Sequence, residues 1–246
     1  MRSREIPKII ARQIEGNFLS AEHALEAMQM ISRLEGIPLT RRQHFGAAAI
    51  GAAADSYDAV FDSAPINEAR KKGEAILDAQ SGVKSELDSV DPTTKAGLQL
   101  ASDNLNSKAL VTLRELTEAQ IYSLKQRDLG IGKDEVNTIT YQKGSRAALL
   151  LALEVNPEMS EERQACFKEL GFLLQLFDDF QDATIDRESG LVTLATISSH
   201  DVNILEVIRN QEVKVKKLFI ESYGDKKCTE IFQYIRNLSK RAGLVS

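Results

Sequence analysis

Asp178, Asp179, Asp182 and Asp186 fall within nine positions, directly after the apolar run GFLLQLF. Carboxylates are rarely buried unless they are paired or bind a metal. On a helix, positions 178, 182 and 186 have i, i+4, i+8 spacing and form one acidic stripe, with Asp179 beside it. Like charges at this spacing repel, and the repulsion grows as the local dielectric falls. A hard divalent cation reverses that sign. Mg²⁺ takes oxygen ligands, keeps several waters and shares substrate phosphates. The alternative is a solvated acidic helix end. The preceding apolar segment, expected to point into a core, weighs against it.

A second cluster has the same form. Asp55, Asp58 and Asp62 follow the small-residue run FGAAAIGAAA, spaced three and then four apart. All three can share one helix face. Two acidic stripes, each ending an apolar helix, are expected to face each other across a bundle interior. Such a pocket suits a ligand with a polyanionic head and a hydrocarbon tail. Ala54 and Gly51 lie about one and two turns before Asp58 on the same face. The small-residue run therefore reads either as close helix packing or as the floor of a tail pocket, with Ala54 lining it.

The elements that must position these residues are helical. The chain has 246 residues, 43% of them apolar, no Trp and five Pro. That is enough for one sizeable core, and a single domain over 1–246 is the expectation. Helix punctuation recurs. Thr40 and Gln43 fit a capping box opening the first acidic helix. Pro65 starts the next. Asp91–Pro92 reads as an N-cap with proline at N1, opening a long helix to about Gln126. The segment LGIGKD interrupts, and Asn156–Pro157 stops the helix after it. Ser160 opens the helix that carries the second cluster, and two more are expected near 201–223 and 225–241. Ser20 reads as the start of an early helix that ends at Gly36. Nothing forms a strand series, since GLVTLATI alternates only weakly and stands alone. The expectation is an all-α bundle of about eight to ten helices.

Charge and composition narrow the partners. A net charge of -5 gives no general electrostatic reason to bind nucleic acid. Cys166 and Cys228 make neither a disulfide framework nor a CxxC zinc pair, so a reduced, cytoplasmic setting is expected. No run approaches the length of a membrane span, and the first residues lack the apolar core of a signal peptide.

The second cluster resembles the GxxFQxxDDxxD motif of trans-isoprenyl diphosphate synthases. Gly171, Gln175, Asp178, Asp179 and Asp182 stand in that register, with Leu174 where Phe is usual. Upstream, YQKGSRAALL resembles the family's Lys-Thr segment, with Gly144 in place of Thr. The resemblance covers roughly residues 38–195. It implies a class I terpenoid synthase-like helical bundle with a central apolar cavity, and Mg²⁺ as cofactor. It implies Lys143 as a diphosphate-binding residue and Gln175 as part of the substrate site. The metal set implied is Asp55, Asp58 and Asp62 with Asp178, Asp179, Asp182 and Asp186. Asp58, Asp62, Asp178, Asp182 and Lys143 would carry the chemistry. The implied reaction is ionisation of an allylic prenyl diphosphate, followed by prenyl transfer or terpene cyclisation.

The first motif departs from the family's DDxxD, because Ala59 replaces the second Asp. The resulting DxxDxxxD looks more like the pattern of bacterial large-terpene synthases. The i, i+4, i+8 triad also matches terpene cyclase spacing. Elongation, cyclisation and loss of activity stay open, the last as a non-catalytic subunit that modifies a partner synthase. A di-iron carboxylate bundle would want Glu-x-x-His pairs, and none occurs. Arg41 and Arg42 read as diphosphate ligands or as a solvated helix start. As basic residues in a first turn they oppose the helix dipole. Arg187 reads as a phosphate ligand or as a salt-bridge partner of its acidic neighbours. The expected partners are a prenyl diphosphate and, as an open alternative, a second copy of the chain in a homodimer.

Overall fold

The structure is a computed structural model that describes residues 5–62, 64–81, 90–197, 203–241 and 243. Among these residues there are eleven α-helices and no strand. They are α1 (Ile6–Ile14), α2 (Phe18–Glu35), α3 (Arg41–Asp62), α4 (Ile66–Gln80), α5 (Pro92–Asn104), α6 (Ser107–Ser123), α7 (Lys133–Val155), α8 (Glu161–Gln181), α9 (Ala183–Ser189), α10 (Ile204–Tyr223) and α11 (Thr229–Arg241). The all-α expectation is met. No described helix is long and apolar enough to cross a membrane.

Local signals set most boundaries. Thr40 and Gln43 form the expected capping box: the Thr40 amide donates to Gln43 Oε1 at 2.8 Å, and the Gln43 amide to Thr40 Oγ1 at 3.3 Å. Asp91 caps α5 by accepting from the Thr94 amide at 2.9 Å, with Pro92 at N1. The predicted long helix from Pro92 does not persist. Leu105 is extended (φ -81°, ψ 153°). Asn106 then caps a new helix, accepting from the Ala109 amide at 3.0 Å. Asn106 competes for the backbone as an N-cap, which a periodicity reading passes over. The start of α2 is likewise Asn17 rather than Ser20, because the Asn17 side chain accepts from the Leu19 and Ser20 amides. The helix near 201 begins at Ile204, and its first two predicted residues lie outside those described. GLVTLATI is coil and turn from Leu191 to Ile197.

The chain divides into two compact units. One comprises Met1–Leu124 and Leu150–Glu158; the other comprises Lys125–Leu149 and Met159–Ser246. In the first unit α3 is the central element, packed by α1, α2 and α5. Its small residues make that packing possible. A Cβ on Gly51 would lie 2.4 Å from the Ser20 carbonyl oxygen, and one on Gly97 would lie 2.3 Å from the Ala53 Cβ. Ala48, Ala49, Ala52 and Ala53 are buried there against Ile10 and Ile14. Tyr57 and Phe61 continue the core towards Ile76 and Leu124. In the second unit, α8 packs on α10 through Phe167, Phe219 and Tyr223.

Candidate functional site

The second acidic cluster sits where α8 ends. Leu170, Gly171, Phe172, Leu173, Leu176 and Phe177 are buried, and the helix stays apolar up to its acidic end. Asp178 and Asp182 are exposed, and Asp186 is half-buried. The three do not share one uninterrupted helix. Asp182 is the C-cap of α8 (φ -90°, ψ 3°), and Asp186 belongs to α9. The i→i−4 bonds nevertheless continue across the junction. The Asp182 amide donates to the Asp178 carbonyl at 2.9 Å, and the Asp186 amide to the Asp182 carbonyl at 2.8 Å. The predicted stripe therefore survives as a short, bent one.

Asp179 points the other way. It is 6% exposed, and both of its oxygens accept from protein donors. Gln175 Nε2 donates to Oδ1 at 3.1 Å, and Thr140 Oγ1 donates to Oδ2 at 3.2 Å. Gln175 Nε2 also donates to Asp178 Oδ2 at 3.1 Å. One amide group thus ties the buried carboxylate to the exposed one. Sequence reasoning missed Thr140. It lies three residues before Lys143, a spacing that puts the two on adjacent turns, but nothing local marks it.

The electrostatics bind these residues into one group. Burial pushes the Asp179 carboxyl up to about 7, against the hydrogen bond from Gln175 and the positive charge of Lys143. Burial, together with the negative charges of Asp182 and Asp178, pushes Asp186 up to about 6, while Thr193 and Lys143 act in the opposite direction. Lys143 therefore shares its field with both carboxylates. The Val192 amide donates to the Gln126 carbonyl at 2.7 Å, and Gln126 Nε2 returns a bond to the Val192 carbonyl at 3.0 Å. That pair holds the segment carrying Thr193 in place. Arg187 is exposed in the last turn of α9.

Both acidic clusters close a helix at its C-terminal end. There the backbone carbonyls already carry partial negative charge, so the exposed carboxylates in the last turns, Asp62 of α3 and Asp178 of α8, are disfavoured by about 0.3–1 kcal/mol, whereas Asp186 lies in the first turn of α9. This placement works against stability and suits a bound cation. Among the described residues no three acidic, histidine or cysteine side chains gather closely enough to hold a metal as a set. Mg²⁺ does not need such a cage, since one or two carboxylates plus water and substrate phosphate suffice. Asp178 and Asp182 offer an exposed, oxygen-only donor pair, flanked by Asp179 and Asp186, on which the charge of Lys143 acts, and that chemistry fits.

The first cluster lies on the last turns of α3, within the first unit. Asp58 is exposed, and its Oδ1 accepts from Gln120 Nε2 at 2.8 Å. Asp62 is exposed in the last residue of α3, and Ala59 is exposed between them. Asp55 is engaged elsewhere. Asn17 Nδ2 donates to its Oδ2, and Ser20 Oγ donates to its Oδ1 at 3.2 Å. It thereby steadies the side chain that caps α2. Beneath them Tyr57 donates to Thr117 Oγ1 at 2.8 Å, and burial raises its phenol. Gln120 and Thr117, on α6, were not legible as partners of this cluster.

The remaining predicted residues occupy the start and middle of α3. Arg41 stacks its guanidinium over the Phe45 ring at 5.5 Å. Arg42 Nη2 donates to the Leu105 carbonyl at 3.2 Å, at the C-terminal end of α5. There its charge, after the Asn106 amide, opposes the burial that pushes the Glu154 carboxyl up to about 6. Of the two readings of AAAIGAAA, close helix packing holds at Gly51, Ala52 and Ala53. Ala54 is half-buried.

Comparison with known proteins finds no family model, no curated protein and no solved structure that matches this chain.

Proposed function

We propose that this chain is a Mg²⁺-dependent isoprenoid synthase acting on allylic prenyl diphosphates, by prenyl transfer or by terpene-synthase chemistry. The observation that supports this reading most is the arrangement at the end of α8. Gly171, Gln175, Asp178, Asp179 and Asp182 keep the spacing of the family motif they resemble, and the charge of Lys143 acts on two carboxylates of the cluster, Asp179 and Asp186.

In this reading Asp178 and Asp182 hold Mg²⁺, and Gln175 orients Asp178. Bound there, Mg²⁺ would neutralise the diphosphate as its C–O bond breaks. The bonding electron pair leaves with the diphosphate, and an allylic cation remains. Lys143 adds positive charge on the leaving-group side, and Arg187 is a second donor for phosphate oxygens. Asp58 and Asp62 take the corresponding ligand role in the first motif. Prenyl transfer follows if the double bond of isopentenyl diphosphate meets the cation, and cyclisation follows if the substrate's own alkene does.

The test is incubation with geranyl, farnesyl and geranylgeranyl diphosphates, each with and without isopentenyl diphosphate and Mg²⁺. Extracted products are identified by mass. Longer prenyl diphosphates mark transfer, and hydrocarbons or alcohols mark terpene chemistry.

A second reading, a non-catalytic diphosphate-binding subunit, draws on the first cluster. Asp55 is taken up by Asn17 and Ser20, and Ala59 stands where a second ligand would be. It predicts Mg²⁺-dependent diphosphate binding with no product from any of the substrates.

A further inference from the structure

In the second unit α7 and α8 run antiparallel and meet backbone to backbone. A Cβ on Gly144 would lie 2.2 Å from the Gly171 carbonyl oxygen and 2.8 Å from the Gln175 Cβ; one on Gly171 would lie 2.8 Å from the Ala148 Cβ. Moving back along α7 from this crossing therefore moves forward along α8. Thr140, one turn before Gly144, arrives opposite Asp179, two turns after Gly171. Thr140 is 1% exposed, and its hydroxyl reaches the carboxylate there.

Three hydrogen bonds then run in series from the buried face to the open one. Thr140 Oγ1 donates to Asp179, Gln175 Nε2 donates to Asp179, and the same nitrogen donates to Asp178. An amide nitrogen carries two hydrogens, so Gln175 can serve both carboxylates at once. Both Asp179 oxygens are spent on these donors. A buried carboxylate that has its donors is stable where it is, and turning outwards would leave the Thr140 hydroxyl unpaired in the core.

We infer that Asp179 is a positioning residue rather than a metal ligand, and that Thr140 is its anchor. The Thr140–Asp179–Gln175 strut fixes the rotamer of Asp178, the exposed ligand. The inference rests on the reading of Asp178 and Asp182 as Mg²⁺ ligands. Groups that orient a ligand in this way typically change metal affinity by 10–100-fold when removed.

The test uses the whole chain and inorganic diphosphate as probe. Mg²⁺ is titrated at fixed inorganic diphosphate, and the rise in melting temperature is followed for each variant from its own metal-free value. Far-UV circular dichroism establishes folding beforehand. Thr140→Val should raise the Mg²⁺ concentration at half-maximal shift by roughly tenfold or more, and Thr140→Ser should restore it to within about twofold of wild type. Gln175→Leu cuts the strut from a half-buried position and should weaken Mg²⁺ by a similar factor, so the test stands even if Thr140→Val fails to fold. A loss of stability alone, with wild-type Mg²⁺ dependence in the folded variants, would mean the strut is only packing, and the inference would fall while the wild-type response kept the ligand reading intact. If the wild type gives neither a Mg²⁺–diphosphate shift nor product, the ligand reading fails and takes the strut's role with it.

Discussion

Gly144 and Gly171 touch through their backbones. A Cβ on either would lie 2.0–2.2 Å from the other's carbonyl oxygen. This contact sets how closely α7 approaches α8, and hence whether the Thr140 hydroxyl can reach Asp179. Alanine is ordinarily favoured over glycine within a helix by up to about 1 kcal/mol. Here the obstacle is backbone, which cannot rotate away as a side chain can. Gly144→Ala and Gly171→Ala should each destabilise the protein by about 1–3 kcal/mol net. Urea denaturation measures this. Gly132, whose Cβ would meet nothing within 4 Å, serves as control, and Gly132→Ala should lie close to wild type.

The carboxylates at the end of α8 make a separable prediction. Asp178→Asn removes like charge from the C-terminus of α8, so without metal it should melt at or slightly above the wild-type temperature, while Asp182→Asn, at the junction that also opens α9, should melt close to it. Each should also lose most of the rise produced by Mg²⁺ with inorganic diphosphate. Differential scanning fluorimetry reads both effects on one sample. A wild-type response in both variants would return these residues to ordinary surface acid.

Asp55 should behave in the opposite way. It holds Asn17 and Ser20 at the start of α2. Asp55→Ala should cost about 1 kcal/mol of stability, the usual worth of such hydrogen bonds. The half-saturating Mg²⁺ concentration should not move. A variant as stable as wild type but deficient in Mg²⁺ response would place Asp55 among the metal ligands.

Glu154 predicts a pH effect. It is 2% exposed, and its Oε2 accepts from the Asn106 amide at 2.7 Å and from Asn106 Nδ2 at 2.8 Å. Burial pushes its carboxyl up to about 6, opposed by the Asn106 amide and by Arg42. A raised carboxyl pKa means that the folded state binds the extra proton. The penalty of the ionised group is fully present above about pH 6 and disappears as pH falls through that value towards the ordinary carboxylate range. Glu154→Gln, which keeps an acceptor oxygen, should therefore gain about 1–2 kcal/mol relative to wild type at pH 8 compared with pH 5. Parallel stability–pH curves for the two proteins would refute this.

Some of this protein is legible without coordinates because it is local. The Thr40–Gln43 capping box, the Asp91–Pro92 start and the spacing of Gln175, Asp178 and Asp182 depend on contacts within one or two turns. Helical geometry fixes those wherever the helix lies. The break at Leu105–Asn106 escaped because apolar periodicity continues through it, and the bend at Asp182 because the i, i+4 spacing of the acids does; a capping side chain and a change of backbone angle alter neither. What decided the candidate site was the approach of one helix to another. Asp178 and Asp179 are neighbours of the same type in the sequence, yet one is exposed and one is sealed, because α7 covers only one side of α8. Thr140 becomes part of the site, Asp55 is diverted to Asn17, and Gly51 is filled by α2 instead of flooring a pocket, for the same reason. A helix carries its spacing in its own sequence, but which of its faces meets a neighbour depends on residues far away in the chain.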